Sequence, residues 1–228
     1  MPDIDVLALL LAASFLAGFV DAVAGGGGLV LFPALMLGLP VGTPIPTLLG
    51  TNKFAAATGT TAAAWHFLKS GTVGRREFVP PLVLAAAGAV AGARLAYRID
   101  PEVLRPVMVL LLAGMLAFTL FRPDVGRLHA PRFAPGAQAA IGTGVALALG
   151  FYDGVFGPGT GSLLIFAYVG LLGFDFLRAS ALAKAANWGS NFGALVLFMS
   201  QGSWIPALAV PLAAANLVGG RLGAGFAG

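Results

Sequence analysis

Three long stretches of this chain contain no Asp, Glu, Lys or Arg: residues 22–52, 154–174 and 185–220. About 20 apolar residues are enough for a helix to cross a bilayer, so the last stretch is long enough for more than one crossing. With 58% hydrophobic and 10% charged residues, the chain has too few polar side chains to cover a water-facing surface. The strict in-out alternation of membrane barrels is missing from these stretches. The sequence therefore predicts an all-α, polytopic membrane protein.

Two segments of the chain repeat one pattern, G-F-x-D-x-V-x-G-x-G, at residues 18–27 and 150–159. The repetition continues downstream in the same order, with a lysine and then a Gly-x-Arg-Leu sequence in each half. These pairs are Lys53 with Lys184, and residues 92–95 with residues 219–222. Charges inside apolar segments are costly unless they face a partner or a wet cavity. We interpret the chain as two copies of one membrane unit.

Glycine, proline and charge divide the chain into nine predicted helices. Their ranges are 5–22, 28–39, 46–68, 78–98, 103–121, 136–153, 160–173, 177–199 and 204–224. The first repeat spans residues 1–121, a linker spans 122–135, and the second repeat spans 136–228. Basic residues after the third helix and in the linker favour the cytoplasmic side for both, whereas the acidic N-terminus favours the outside. Because five segments separate the two copies, we predict an inverted-topology repeat.

Two of the predicted helices, 28–39 and 160–173, follow the Gly-rich turns and are short for a full crossing. We interpret them as broken or re-entrant helices, which membranes tolerate when protein or a cavity surrounds them. The second copy stops seven residues after Arg221 and has no counterpart of helix 103–121. We therefore expect that a last helix is missing, and that an apolar groove is left uncovered on the second half.

The paired Gly-rich elements resemble those of the TauE/SafE sulfite exporter family. The resemblance rests on residues 21–28 with Pro33 following, on residues 150–162, and on Gly50-Thr51-Asn52-Lys53 with its counterpart at 183–187. It implies a protein that moves anions across the bacterial inner membrane, with sulfite, sulfonates and related organosulfur compounds as substrates. The second copy departs from the pattern in having Ala183, rather than Thr, before Lys184.

Lys53 and Lys184 are the predicted substrate-binding cations, because each is placed near the start of a predicted helix, where backbone N–H groups also attract anions. The alternative is a lysine that extends to the membrane interface. Neutral donors and flexible backbone complete the predicted substrate site: Thr51, Asn52, Asn187, Gly25, Gly27, Gly157 and Gly159. Glycines there allow close approach of backbone to an anion.

Asp21 and Asp153 precede the two Gly-rich turns. They are candidates to carry a coupling proton or to pair with the lysines; the alternative is a structural carboxylate that accepts hydrogen bonds from the turn. Arg94 and Arg221 are candidates for an anion contact through the guanidinium group, although an arginine near a helix end also pairs with carbonyl groups or lipid phosphate.

The function that these features favour is a gradient-driven secondary transporter of small anions, multi-pass in the bacterial inner membrane, with H⁺ as the candidate coupling ion. No cofactor, metal or nucleic acid is expected, since the two histidines are isolated in sequence and the net charge of +4 is scattered over segment ends. The sequence leaves open whether the protein forms a homo-oligomer. The alternatives are a membrane-embedded enzyme and a non-transporting assembly protein. An enzyme is disfavoured because the sequence shows no nucleophile–base constellation.

Overall fold

The computed structural model describes residues 3–69, 71–121 and 130–227, and nine α-helices account for most of them. In chain order they are α1 (Ile4–Ala24), α2 (Gly28–Gly38), α3 (Ile45–Lys69), α4 (Arg75–Ala96), α5 (Pro101–Phe121), α6 (Pro135–Val155), α7 (Thr160–Leu172), α8 (Phe176–Ser200) and α9 (Pro206–Ala227). The all-helical prediction is confirmed. Most of the predicted linker, residues 122–129, lies outside the described residues.

Local chemistry explains where several of these helices begin and end. Gly25 ends α1 with φ of 79°, and Gly159 precedes α7 with φ of 81°. Both angles lie in the left-handed region, which glycine adopts without a steric penalty. Pro135 occupies the first position of α6, where a missing N–H group costs nothing. The carboxylate of Asp175 caps α8 by accepting a 2.8 Å hydrogen bond from the backbone N–H of Arg178.

Helices α3 and α8 pack against each other at the centre of the bundle, and the more apolar helices surround them. α4 packs on α6 and α8, and α9 packs on α1 and α3. Three helices in the described ranges are long and apolar enough to cross a membrane: α1, α4 and residues Pro206–Phe226 of α9. More than half of the residues of both α3 and α8 are buried. The polar residues of these two helices are therefore shielded by the surrounding protein.

Close helix packing in this bundle depends on glycine. At several glycines an added Cβ atom would collide with a backbone carbonyl of the neighbouring helix, and four of them, on α4 and α9, form a repeated pattern. They pair as Gly88 with Leu147, Gly92 with Phe151, Gly219 with Phe15 and Gly223 with Phe19. Membrane helices associate through such small residues because lipid supplies no hydrophobic force between them.

These glycine contacts recur between α4 and α6 and between α9 and α1 with a shift of 131 or 132 residues, as the two-copy interpretation expects. They also correct one detail of it. By contact, Gly92 corresponds to Gly223 and not to Gly219, so Arg221 is displaced by one helical turn from the counterpart of Arg94. Because glycines recur four residues apart in both helices, the sequence alone does not distinguish the correct alignment from one that is shifted by a helical turn. The opposite orientation of the two copies in the membrane stays a prediction.

Gly92→Ala should lower the free energy of unfolding by about 1–3 kcal/mol, because the added methyl group meets backbone atoms of α6 that cannot move aside cheaply. The matched control is Gly114→Ala on α5, where the space around the glycine is open. The control should be neutral or slightly stabilising, since alanine is the better helix former. Unfolding in denaturing detergent measures both variants, and equal effects would contradict the packing account.

Candidate functional site

A small polar cavity lies where the two Gly-rich turns meet at the centre of the bundle. Its volume is about 20 Å³, and its walls come from α1, α2, α3, α6, α7, α8 and α9. The first residues of the two short helices line it, Gly28 of α2 and Thr160 of α7. Because the N-terminal end of a helix carries partial positive charge and free N–H groups, both short helices favour an anion in this cavity.

The first charged pair at this centre joins Lys53 of α3 to Asp153 of α6. Lys53 Nζ lies 2.6 Å from Asp153 Oδ2, and both side chains are 1% exposed. Lys53 also donates a 3.0 Å hydrogen bond to Asn191 Oδ1, and Asp153 Oδ1 accepts a 2.8 Å bond from the Thr160 hydroxyl. The first residue of α7 is thereby tied to the ion pair.

The second pair joins Lys184 of α8 to Asp21 of α1. Lys184 Nζ lies 3.4 Å from Asp21 Oδ2 and also donates to the backbone carbonyl of Asp21. The amide of Asn187 lies 3.5 Å from Asp21 Oδ1. The distance from Lys184 Nζ to its carboxylate is longer than the distance from Lys53 Nζ to Asp153. The two pairs therefore contain the same residue types but differ in how close the charges are.

The pairing is crosswise: each lysine contacts the aspartate of the other half of the chain. Two lysines and two aspartates make the described centre electrically neutral when all four are charged. A buried charge without a partner costs several kcal/mol, so the pairing offsets part of the cost of burying these charges. The crosswise contacts also tie the two halves together at their most polar point.

Carboxamide side chains form the uncharged part of the cavity wall. Asn52, Asn187, Asn191 and Asn216 all line it. Asn216 donates a 2.9 Å hydrogen bond to the Ser14 carbonyl, whereas Asn52 Oδ1 is buried without a hydrogen-bond partner in the protein. Since buried polar atoms are normally paired, the orphaned oxygen of Asn52 indicates a position where a ligand or water completes the bonding.

The structure brings most of the predicted site residues together. Both aspartates line the cavity, and the lysines contact them from outside its lining. The other predicted site residues that line the cavity are Asn52, Asn187, Gly25, Gly27, Gly157 and Gly159. Thr51 instead donates to the Thr47 carbonyl and accepts from the Ile205 N–H, so it links α3 to the start of α9. Arg94 and Arg221 are exposed and lie outside the cavity.

Two details of the predicted site change. Lys53 and Lys184 each lie eight residues, about two turns, beyond the first residue of their helix, which is too far from the N-terminus for its free N–H groups to share an anion with the lysine. The helix N-termini near the charges belong instead to α2 and α7. Sequence reasoning also left Thr160 and Asn216 out of the site. The signal for Asn216 was an asparagine in the uncharged part of α9, before Arg221.

A bundle of apolar helices that encloses two lysine–aspartate pairs, carboxamides and two helix N-termini is typical of a membrane transport protein. The sequence model of the family described as "Sulfite exporter TauE/SafE" matches residues 10–228. The chain belongs to this family.

Several relatives support the same class. A probable membrane transporter protein of Sinorhizobium is 37% identical over 97% of this chain and 83% of its own length. One of Haemophilus influenzae is 37% identical over 97% of this chain and 85% of its own. One of Escherichia coli K12 is 34% identical, with 96% and 79% covered. No solved structure matches the chain.

Lys53→Met should destabilise the protein by about 3–5 kcal/mol, because it leaves Asp153 charged and buried without its cation. Adding Asp153→Asn to this variant should restore most of the loss, since the double variant is neutral and Asn still accepts from Thr160. Unfolding in denaturing detergent measures both.

The matched control is the pair of Arg178 and Glu77, which are 2.5 Å apart and whose side chains are 31% and 47% exposed. Arg178→Ala should cost no more than about 1 kcal/mol, because water screens exposed pairs. If Asp153→Asn makes the Lys53→Met protein still less stable, the buried pair is not the interaction described here.

Proposed function

We propose that this chain is a gradient-driven secondary transporter of small anions in the bacterial inner membrane, with sulfite, sulfonates and related organosulfur compounds as its substrate class. The observation that carries the proposal is the pair of buried lysines, each balanced by the aspartate of the other half. Family membership supports the transport class, and the chemistry of the centre supports an anion. The opposite orientation of the two copies in the membrane is also part of this proposal.

In the proposed site an anion competes with the aspartates for the lysines. Lys184 is the easier of the two to release, because its carboxylate contact is 3.4 Å against 2.6 Å for Lys53. An oxoanion or sulfonate beside Lys184 would also face the N-terminus of α2 or α7, where backbone N–H groups are available. The substrate anion thus takes the place of the carboxylate, so the lysine still has a negatively charged partner.

Charge balance links anion binding to protons. The four charged groups sum to zero, so an incoming anion leaves the buried centre with a net negative charge. Protonation of the displaced aspartate cancels that charge and removes the repulsion between carboxylate and substrate. We therefore assign Asp21 and Asp153 as the proton-carrying groups, and the coupling ion as H⁺.

Substrate entry requires movement of the helices. A cavity of about 20 Å³ holds roughly one water molecule, which is less room than a sulfur oxoanion needs. Separation of the halves at the crosswise pairs would enlarge it, because these contacts join α3 to α6 and α8 to α1. Opening alternately toward the two sides of the membrane is the motion expected of a duplicated transporter.

Lys184→Ala and Lys53→Ala should each lower anion binding about ten- to a hundredfold, the loss expected for hydrogen bonds to a charged group. The measurement is uptake of sulfite and of a panel of organosulfonates by proteoliposomes carrying a pH gradient. Arg98→Ala is the control, because this exposed arginine lies beyond the end of α4 and should transport normally.

The charge-neutral variant Lys53→Met with Asp153→Asn separates transport from folding. It should fold and yet transport poorly, because it lacks one of the two cations. Normal flux in this variant, or the absence of flux for every oxoanion and sulfonate with the wild-type chain, would contradict the proposal and favour a non-transporting assembly protein.

A further inference from the structure

A groove separate from the central cavity lies at the end of the bundle where α4, α6 and α8 begin and α7 ends. Its volume is about 680 Å³, within the range of about 300–1,000 Å³ that small-molecule sites occupy. The inner walls are mainly apolar, with Pro80, Leu84, Tyr168, Leu172 and Leu182 among the lining residues. None of the predicted transport residues lines it.

Two residues of the groove differ in character from their counterparts in the other half of the chain. In the first half, Val6 and Leu10 of α1 pack against Gly38 of α2. The shift of 132 residues that relates Gly18 to Gly150 places Gln138, Gly142 and Gly170 at these positions. Nothing lies within 4 Å of a Cβ placed on Gly170. A Cβ placed on Gly142 would lie 3.2 Å from Leu172 Cδ1, so the space of Leu10 is already taken there. The difference between the halves that bears on the groove is therefore Gln138 in place of Val6.

The mouth of the groove is polar and carries more positive than negative charge. Arg76, Arg178 and Glu77 line it. Arg178 donates a 2.5 Å hydrogen bond from one guanidinium nitrogen to Glu77. Its Nε is buried and has no hydrogen-bond acceptor in the protein, and the same is true of Nε2 of Gln138. Both orphaned atoms are donors. The N-termini of α4 and α6 add partial positive charge at this end, whereas the N-terminus of α8 is capped by the carboxylate of Asp175.

We infer that this groove binds an anionic phospholipid, with one acyl chain along the apolar wall and the phosphate at Arg76, Arg178 and Gln138. The N–H donors of Arg178 and Gln138 that lack a partner are satisfied by an oxygen acceptor, and the apolar wall is covered by hydrocarbon. A phospholipid supplies both in one molecule and surrounds the protein in the membrane. A helix from a second copy would cover the wall but would leave the donors unpaired, which is costly for buried groups.

Native mass spectrometry of the purified chain tests this inference, with phosphatidylglycerol and phosphatidylcholine of identical acyl chains as the probes. The wild-type monomer should keep one phosphatidylglycerol under conditions that remove phosphatidylcholine. Arg76→Gln should reduce that preference about fivefold, the effect of one arginine near an anionic headgroup. Arg98→Gln, at the opposite end of α4, should leave it unchanged.

The variant Gln138→Val places the Val6 side chain of the first half in the groove. It should retain less phosphatidylglycerol and unfold at the same or a higher temperature, because it removes a buried donor that has no acceptor in the protein. Unchanged lipid retention by this variant would overturn the inference. Equal retention of both lipids by the wild-type chain, or a lipid-free dimer, would overturn it as well.

Discussion

Crosswise pairing of two buried lysines with two buried aspartates is the interaction on which this structure depends. Each pair joins one half of the chain to the other, Lys53 to Asp153 and Lys184 to Asp21. Inside a membrane protein these charges persist only as partners, because an unpaired one would cost several kcal/mol. In the proposed mechanism, the contacts that hold the halves together are therefore also the contacts that a substrate anion must compete with.

The rest of the fold makes this centre tolerable in a membrane. α3 and α8 carry the lysines and most of the asparagines, and their neighbours bury them. Close approach of those neighbours depends on glycines facing backbone carbonyls, such as Gly92 against Phe151 and Gly223 against Phe19. Large apolar side chains point outward instead, with Leu110 being 72% exposed. Lipid solvates that outer surface, so the polar interior and the apolar exterior are consistent with each other.

The helices were predictable because glycine, proline and charged residues mark their ends. The observed helix boundaries lie within three residues of the predicted ones. The partners of the lysines were not, since two lysines and two aspartates allow pairing within or between the halves. Only the three-dimensional fold selects between them. The match of Arg94 with Arg221 failed because a slip of one helical turn preserves the pattern of small residues. Asn216 escaped notice because its role depends on contacts far away in sequence, with Ser14.

The central claim is that an anion binds to the lysines only as an aspartate takes up a proton. Isothermal titration of an organosulfonate into the purified protein, in buffers that differ in ionisation enthalpy, measures the protons bound per anion. A sulfonate stays anionic at every pH used, so any proton that is taken up belongs to the protein. The account predicts net proton uptake with each bound anion, and a reduced uptake in Asp21→Asn. Saturable binding with no proton exchange would contradict it.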